Sequence, residues 1–266
     1  MRYATTAEQN QDIVRLYQAG HTGSELAKMF GFKTSKSIYD RLKKAGIKLR
    51  SSKETKQLQK TYNPSFMNVV DREWKGYFLG LMLTDGWVSS SSNAVALDLV
   101  DEDAIQYLSI MIGKDYKTYK HEGGANSHRI VMCDKVLFES MNHLGVCEHK
   151  TYNFQKPNLS LEEMIYLKDI VRGIIDGDGT FAYVGENSIY LRITSKTEDT
   201  IRWYEWALKV LGLTNLRVKE YTAQDNSLQW KLETGLAENI QILKDSVYRS
   251  DYGMKRKRAK LYKERC

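Results

Sequence analysis

The sequence predicts an α+β protein in which two pseudo-symmetric αββαββα halves follow a small all-α domain. The first observation behind this prediction is an internal repeat: Gly80 and Gly173 are 93 residues apart, and so are Asp85 and Asp178. The second is a run of three short helical segments ahead of the repeat. Duplicated halves of this kind usually form a pair about a pseudo-two-fold axis.

Each half has the same predicted order of elements. A mostly apolar helix ends in Asp-Gly and is followed by two strands of alternating polarity, an amphipathic helix, two further strands and a closing helix. In the first half, the predicted strands are 87–91, 94–100, 116–121 and 128–133, and the later helices are 102–112 and 135–144. In the second half, the predicted strands are 180–184, 188–194, 216–222 and 227–233, and the later helices are 198–211 and 236–246. The offset grows from 93 to 96 residues along the repeat, which places a three-residue difference in a loop.

Charge is distributed unevenly along the chain. Residues 1–60 hold 13 Lys and Arg against 5 Asp and Glu, residues 249–266 hold 8 against 2, and residues 61–248 hold 19 against 26. Basic ends of this kind are typical of arms that bind phosphate groups. Tails that only improve solubility have the same composition.

The two prolines of the chain, Pro64 and Pro157, each precede an amphipathic segment and therefore mark boundaries. We accordingly predict four parts of the chain. They are a helix-turn-helix domain over 1–50, a linker over 51–66, a first half over 67–156, and a second half with a basic tail over 157–266.

The first 50 residues are predicted to form three short helices. Thr22 and Glu25 make a capping box at the start of the second helix, and Gly31 ends it. A polar, basic stretch then leads into the third helix, which is the pattern of a helix-turn-helix module that enters a DNA major groove. A three-helix bundle with a solvated basic face has the same pattern. The candidate DNA contacts are Lys33, Thr34, Ser35, Lys36, Tyr39, Arg41 and Lys43.

Composition excludes several classes of protein. No run of 18 apolar residues is present, so a membrane span is excluded, and the first residues lack the apolar region of a secretory signal. Three cysteines without a CxxC spacing argue against a disulfide scaffold or a zinc site. We therefore expect an intracellular protein that is not secreted and does not bind membranes.

Two nine-residue segments, Phe78–Gly86 and Val171–Gly179, carry the predicted chemistry. A glycine inside each apolar helix, Gly80 or Gly173, lets the two helices approach closely because it has no Cβ. The aspartates that follow would then emerge together at one end of the helix pair. Two carboxylates so close repel each other unless a cation joins them, and hard oxygen ligands suit Mg²⁺. An Asp-Gly pair that merely ends a helix before a turn is the plainer interpretation.

In sequence and spacing these segments resemble the motif of single-chain LAGLIDADG homing endonucleases that carry two copies of it. The resemblance extends over roughly residues 68–262. The first copy departs from the motif at Leu83, where an acid often stands. Asp176 holds the matching place in the second copy, and we interpret it as a structural residue.

The resemblance implies a Mg²⁺-dependent, sequence-specific endonuclease that cuts both strands of a long, asymmetric DNA site. It implies a metal held by Asp85 and Asp178, with Mn²⁺ or Ca²⁺ able to occupy the same sites, and water activated by the metal for phosphodiester hydrolysis. The backbone carbonyls of Thr84 and Gly177 are candidate further ligands.

The resemblance also places a basic residue near each metal. It gives Lys150 for the first half and, within a basic run of ambiguous register, Lys257 for the second. The two sheets are expected to form a saddle of antiparallel strands in the major groove. The candidate contacts on the saddle are Asn93, Lys117, Tyr119, Arg129, Tyr183, Arg192, Thr194, Lys219, Tyr221, Gln229 and Lys231.

The expected partner is double-stranded DNA, bound by a monomer with internal pseudo-two-fold symmetry and encoded by a mobile genetic element, intron-borne or free-standing, as in a phage. A regulator on the same scaffold that binds DNA without cutting it is one alternative, but such descendants lose the metal carboxylates. An RNA-binding intron maturase is another, and the helix-turn-helix favours duplex DNA over it. A nickase is an intermediate possibility if the degenerate first copy has weakened one site.

Overall fold

The structure, a computed structural model, describes residues 6–52, 54–55, 61–185 and 188–263. The chain divides into two compact units between Thr61 and Tyr62. This division falls inside the predicted linker, part of which lies outside the described residues. The end of that linker is not a spacer, because Tyr62 and Phe66 are buried in the core of the second unit.

In the part of the first unit that the structure describes, the core is built by α1 (Thr6–Gln18), α2 (Gly23–Met29) and α3 (Lys36–Lys44). Its small core is formed by residues from all three helices, among them Ile13, Tyr17, Leu26, Ile38 and Leu42.

A reciprocal capping box fixes the start of α2. The backbone N–H of Glu25 donates to the Thr22 hydroxyl at 3.2 Å, and the backbone N–H of Thr22 donates to the Glu25 carboxylate at 2.8 Å. A Cβ on Gly23 would lie 2.6 Å from Cε1 of Tyr39, so this glycine allows α2 and α3 to pack closely.

The second unit contains one arrangement twice. The first copy comprises α4 (Glu73–Thr84), β1 (Gly86–Ser89), β2 (Ala94–Leu99), α5 (Glu102–Ile112), β3 (Lys117–Tyr119), β4 (Ser127–Cys133) and α6 (Lys135–His143). The second comprises α7 (Leu167–Asp178), β5 (Gly179–Val184), β6 (Ser188–Ser195), α8 (Glu198–Val210), β7 (Arg217–Thr222), β8 (Leu228–Thr234) and α9 (Ala237–Ile242). The predicted α+β class with two αββαββα copies is therefore confirmed.

Irregular helical turns and one further helix complete the second unit. A 3₁₀ turn over Glu163–Tyr166 precedes α7, and a π turn over Leu243–Val247 continues α9. The basic tail forms a helix of its own, α10 (Lys255–Tyr262). No helix within the described ranges is both long and apolar enough to cross a membrane.

The strands form two antiparallel four-stranded sheets with the orders β1-β2-β4-β3 and β5-β6-β8-β7. In the first sheet Leu97 lies opposite Ile130, and in the second Ile193 lies opposite Leu232. All four residues are buried. Because side chains alternate between faces, each sheet has one apolar face in the core and one polar face.

The two motif helices, α4 and α7, pack against each other at the centre of the unit. A Cβ on Gly80 would lie 2.8 Å from the Cα of Gly173 and would collide with the carbonyl oxygen of Ile170. A Cβ on Gly173 would lie 2.7 Å from the backbone nitrogen of Leu81. Only glycine allows backbones to approach this closely. The crossing brings the C-terminal ends of both helices together.

Candidate active site

The C-terminal ends of α4 and α7 converge on one point. Helix α4 ends at Thr84 and is capped by Asp85, whereas Asp178 is the last residue of α7. A Cβ on Gly177 would lie 2.6 Å from Oδ2 of Asp85 and would collide with the Thr84 hydroxyl. The close helix contact therefore continues to the helix ends and leaves the two aspartates beside each other.

The two carboxylates are poorly stabilised as anions. Burial, and after it the charge of Asp85, raises the pKa of Asp178 to about 7. Asp85 is open to solvent, but surrounding protein atoms displace water and raise its pKa as well. The Thr84 hydroxyl donates to Asp85 at 3.2 Å, and among the described residues none donates a hydrogen bond to Asp178.

Two lysines reach this point from different segments. The ammonium of Lys150 donates to the Thr84 carbonyl at 2.8 Å. The ammonium of Lys257, on α10, donates to the carbonyl of Gly179 and at 3.4 Å to that of Ile175. Burial is the main cause that lowers the pKa of each lysine, and the charges of Asp178 and Asp85 oppose it at Lys150. Each lysine is thus held by carbonyls at the end of a motif helix.

Within the basic run over 254–258, the neighbours of Lys257 contact other groups. The guanidinium of Arg256 pairs with both oxygens of Asp101, at 2.5 and 2.8 Å, and the backbone N–H of Lys255 donates to Asp103 at 2.8 Å. These contacts join the start of α10 to the start of α5. They hold α10 in the orientation that turns Lys257 toward the carboxylates.

The oxygen atoms at this point fit a divalent cation that takes few of its ligands from the protein. The two aspartates supply hard oxygen atoms, and one of them has no hydrogen-bond donor among the described residues. Repulsion between them would be relieved by a cation, which is the condition that favours such a site. The Thr84 carbonyl already accepts from Lys150 but keeps a second lone pair. Among the described residues no group of three or more His, Cys, Asp or Glu is gathered for a metal.

A cleft of about 200 Å³ opens beside Asp178. It is lined by Leu83, Thr84, Gly145, Lys150, Thr151, Phe154, Asp178, Thr194, Ser195, Lys196, Thr200, Tyr204 and Gln229. Several of these residues, among them Lys196, Thr200 and Tyr204, are not among the site residues that the sequence predicts. A comparison of the two halves at the 96-residue offset is the signal that would have found them.

A buried polar cluster lies behind the motif helices. Arg172 and Asp176 are fully buried and form an ion pair at 3.2 Å. The hydroxyls of Tyr77 and Tyr248 donate to Asp176 at 2.9 and 2.7 Å, and the backbone N–H of Met254 donates to it at 2.9 Å. The cluster therefore fixes the segment that leads into α10. The sequence singled out Asp176 but gave no sign of its partner Arg172.

Most of the predicted contacts on the strands lie on the polar faces of the sheets. These are Lys117, Tyr119, Arg129, Arg192, Thr194, Lys219, Tyr221, Gln229 and Lys231. Asn93 lies instead in the turn before β2, with a φ of 49°. Tyr183 requires a correction: it lies two residues after buried Phe181, on the same face, and its hydroxyl donates to the Lys260 carbonyl at 2.7 Å.

Several of the basic residues on these polar faces are already paired with acids. Arg129 binds Asp98, and its guanidinium lies 4.9 Å from the centre of the Tyr119 ring. Arg192 donates to Glu233 at 2.6 Å, and Lys231 lies 3.4 Å from the same carboxylate. A ligand on this face would have to exchange these partners.

The first unit presents its own predicted contacts in two groups. Lys33, Thr34, Lys36 and Lys43 are exposed, and Ser35 is half-buried at the start of α3. Arg41 and Tyr39 are instead engaged within the unit. Arg41 donates to Asn10 at 2.5 Å and lies over the Phe32 ring, and Tyr39 packs against Gly23.

Comparison with known proteins identifies the fold. The structure is similar to that of the homing endonuclease I-WcaI bound to its DNA recognition sequence, with 12% identity, a TM-score of 0.54, and coverage of 82% of this chain and 97% of the other. The chain has the LAGLIDADG fold. No protein-family model matches the sequence, and no curated protein is similar to it in sequence.

Two further solved structures are similar to this chain with lower TM-scores. Full-length WhiA from Thermatoga maritima has 13% identity and a TM-score of 0.47, over 77% of this chain and 66% of that one. The homing endonuclease I-DmoI, in complex with DNA and Mn, has 16% identity and a TM-score of 0.40, over 70% of this chain and 98% of that one.

Proposed function

We propose that this protein is a sequence-specific DNA endonuclease that hydrolyses one phosphodiester on each strand at the ends of α4 and α7. The observation that carries the proposal is the pair Asp85 and Asp178, which lie close enough for the charge of Asp85 to raise the pKa of Asp178, while no described residue donates a hydrogen bond to Asp178. A largely buried carboxylate with a purely structural role would be expected to have such donors. The I-WcaI likeness supports DNA as the substrate.

In this proposal Asp85 and Asp178 hold divalent metal, for which Mg²⁺ is the expected ion. A bound cation supplies Lewis acidity, which makes a water more acidic and neutralises charge on the leaving oxygen. Lys150 and Lys257 stabilise negative charge on the phosphorus-bound oxygens as water adds. Water attacks the phosphorus, the P–O3′ bond breaks, and the products are a 5′-phosphate and a 3′-hydroxyl.

Recognition is proposed to come from the polar faces of the two sheets. Their Arg, Lys, Gln and Tyr side chains can read base edges in a major groove, where Arg and Lys pair with guanine and Gln with adenine. Because the two sheets carry different residues, the recognised site would be asymmetric. The basic first unit would extend the contact with DNA, mostly through phosphates.

The test is cleavage of a pooled library of random duplex DNA by the purified protein with Mg²⁺, followed by sequencing of the ends. We expect one long site cut on both strands, and no cutting with EDTA. Asp85→Asn and Asp178→Asn should bind the selected duplex but not cut it. Asp115→Asn, the same change at an exposed aspartate of the first half, is the matched control and should cut normally.

Other outcomes assign other functions. Specific retention of a duplex without cutting, with Mg²⁺ and with Mn²⁺, would replace the nuclease by a DNA-binding regulator. Cutting of a single strand would indicate a nickase. Binding of structured intron RNA in preference to duplex DNA would indicate a maturase.

A further inference from the structure

The cleft beside Asp178 has a polar wall that the first half of the chain does not repeat. Lys196, Thr200 and Tyr204, spaced four residues apart, all line it, and we call them the polar stripe. The last two lie on α8, where a spacing of four places side chains on one face. At the 96-residue offset the first half has Val100, Ala104 and Leu108. At these three positions the second half therefore has polar side chains, whereas the first half has apolar ones.

Tyr204 is the member of the stripe that lacks a partner. Its side chain is 2% exposed, and its hydroxyl forms no hydrogen bond with any described residue. Burial, and then the charges of Asp178 and Asp85, raise the pKa of this phenol well above its usual range. A phenol is protonated at neutral pH even without this shift, so the hydroxyl can donate. Because Tyr204 lines the cleft and no described residue accepts from its hydroxyl, the hydroxyl is placed to donate to a group bound in the cleft.

The other cleft groups define what that acceptor would be. Lys150 donates to the Thr84 carbonyl at 2.8 Å and to no other described residue, and Lys196 donates to the Ser227 hydroxyl at 2.7 Å with Asp225 at 3.8 Å. Thr200 shares a hydrogen bond of 2.7 Å with Thr197. The cleft wall thus offers two ammonium groups and a phenol, with Asp178 as its acid. An oxygen that carries negative charge fits this set.

On the opposite side of the carboxylate pair, the positions equivalent to the polar stripe carry apolar residues. There the position of Tyr204 is taken by Leu108, which is fully buried and has no polar atom in its side chain. Two guanidinium groups flank Lys257 in sequence: that of Arg256 is committed to both oxygens of Asp101, and that of Arg258 lies 3.5 Å from the Asp251 carboxylate. The two sides of the site therefore differ in the hydrogen-bond donors that they offer to a phosphate.

We propose that Tyr204 donates a hydrogen bond to a non-bridging oxygen of the phosphodiester on the Asp178 side, so that this strand is cut faster than the other. This inference rests on the proposed endonuclease function and adds a substrate-contacting residue to it. A hydrogen bond to a charged oxygen that strengthens as negative charge grows accelerates the chemical step. On the Lys257 side the position equivalent to Tyr204 is Leu108, which has no hydrogen-bond donor in its side chain.

The test is single-turnover cleavage of the selected duplex with each strand carrying a different label. Tyr204→Phe removes only the hydroxyl and keeps the ring that packs edge-on against Trp203. We expect cleavage of one strand to slow about 10- to 100-fold and cleavage of the other to stay constant. Lys150→Met should slow the same strand, and Lys257→Met the opposite one. Tyr116→Phe, which removes an exposed hydroxyl from the first half, is the matched control.

The strand ratio separates a contact with substrate from a structural role. If Tyr204→Phe leaves the ratio of the two cleavage rates unchanged, whether both strands slow equally or neither slows, the inference is overturned while the proposed function stands. If the wild type cuts neither strand, the proposed function has failed. The hydroxyl is then tested as a binding contact, and an equal affinity of wild type and Tyr204→Phe for the selected duplex overturns the inference too.

Discussion

Gly80 and Gly173 face each other where α4 crosses α7, so closely that a Cβ on Gly80 would lie 2.8 Å from the Cα of Gly173. The atoms around both positions belong to backbone, which cannot rotate away as a side chain can. This contact sets the distance between the helices. The approach of Asp85 to Asp178, each five residues beyond its glycine, depends on it.

Replacement of Gly80 by Ala should destabilise the second unit severely. The new Cβ would collide with the Ile170 carbonyl and force the helices apart, which we expect to lower the free energy of unfolding by about 3 kcal/mol or more. Urea unfolding followed by circular dichroism measures this loss. Gly124→Ala is the matched control, since the nearest atom to its Cβ would be 3.8 Å away. Equal stability of the two variants would contradict the crossing.

Asp178 should make the metal-free protein less stable as pH rises. Its pKa is about 7 in the folded chain but near 3.8 in the unfolded chain, so the folded chain holds the proton more tightly between those values. The free energy of unfolding therefore falls between pH 4 and pH 7, by about 2 to 4 kcal/mol from this group. In EDTA, Asp178→Asn should be more stable than wild type at pH 8 and similar to it at pH 4.

Urea unfolding at pH 4, 6 and 8 gives this comparison. Mg²⁺ should stabilise the wild type at pH 8 and have little effect on Asp178→Asn, because a ligand that binds only the folded state adds to its stability. A constant difference between the two proteins across this pH range would show that Asp178 ionises normally.

Asp176→Asn should be strongly destabilising although it changes a single atom. It leaves the buried guanidinium of Arg172 without its anion, and it turns an amide donor toward hydroxyls that already donate, which we expect to cost about 3 to 5 kcal/mol. Glu198→Gln, in an exposed pair with Arg202, should cost less than about 0.5 kcal/mol. Thermal unfolding of both variants measures the difference, and similar melting temperatures would refute a role for the buried cluster.

Lys33→Ala and Lys36→Ala should weaken binding of the selected duplex by a purely electrostatic route. Each exposed lysine that neutralises a phosphate contributes about 0.9 to the slope of log K against log salt concentration, so each variant should reduce that slope by about 1. Fluorescence anisotropy at several salt concentrations measures it. Lys135→Ala, an exposed lysine of α6 paired with Glu139, should leave the slope unchanged. A reduced affinity with an unchanged slope would argue against phosphate contacts.

The fold was predictable because its signals are local. Alternating polarity near Leu97 and Ile193 marks strands, and the repeated glycine and aspartate mark the paired helices. Tyr183, predicted from alternation to lie on the outward face, lies on the face of Phe181 near the end of β5, where its side chain is still 47% exposed. Period-two counting from Phe181 places it in line with the core.

The polar cluster and the cleft were harder to predict because their partners come from distant segments. Arg172 contacts the Tyr252 carbonyl, 80 residues away, and Lys150 contacts the Thr84 carbonyl, 66 residues away. Periodicity shows which side of a helix is buried. It does not show which segment of the chain covers that side, so a buried guanidinium inside an apolar motif gives no sign of its counter-ion.

Asp176 and Leu83 occupy equivalent places in the two halves, and only the former carries a buried ion pair. An assembly of two identical chains would have to carry that ion pair twice or not at all, since every substitution appears on both sides. In a fused duplicate each half can change independently, except at the crossing, where each glycine is the other's neighbour. The symmetry between the two halves is therefore obligatory along one helix contact and optional elsewhere.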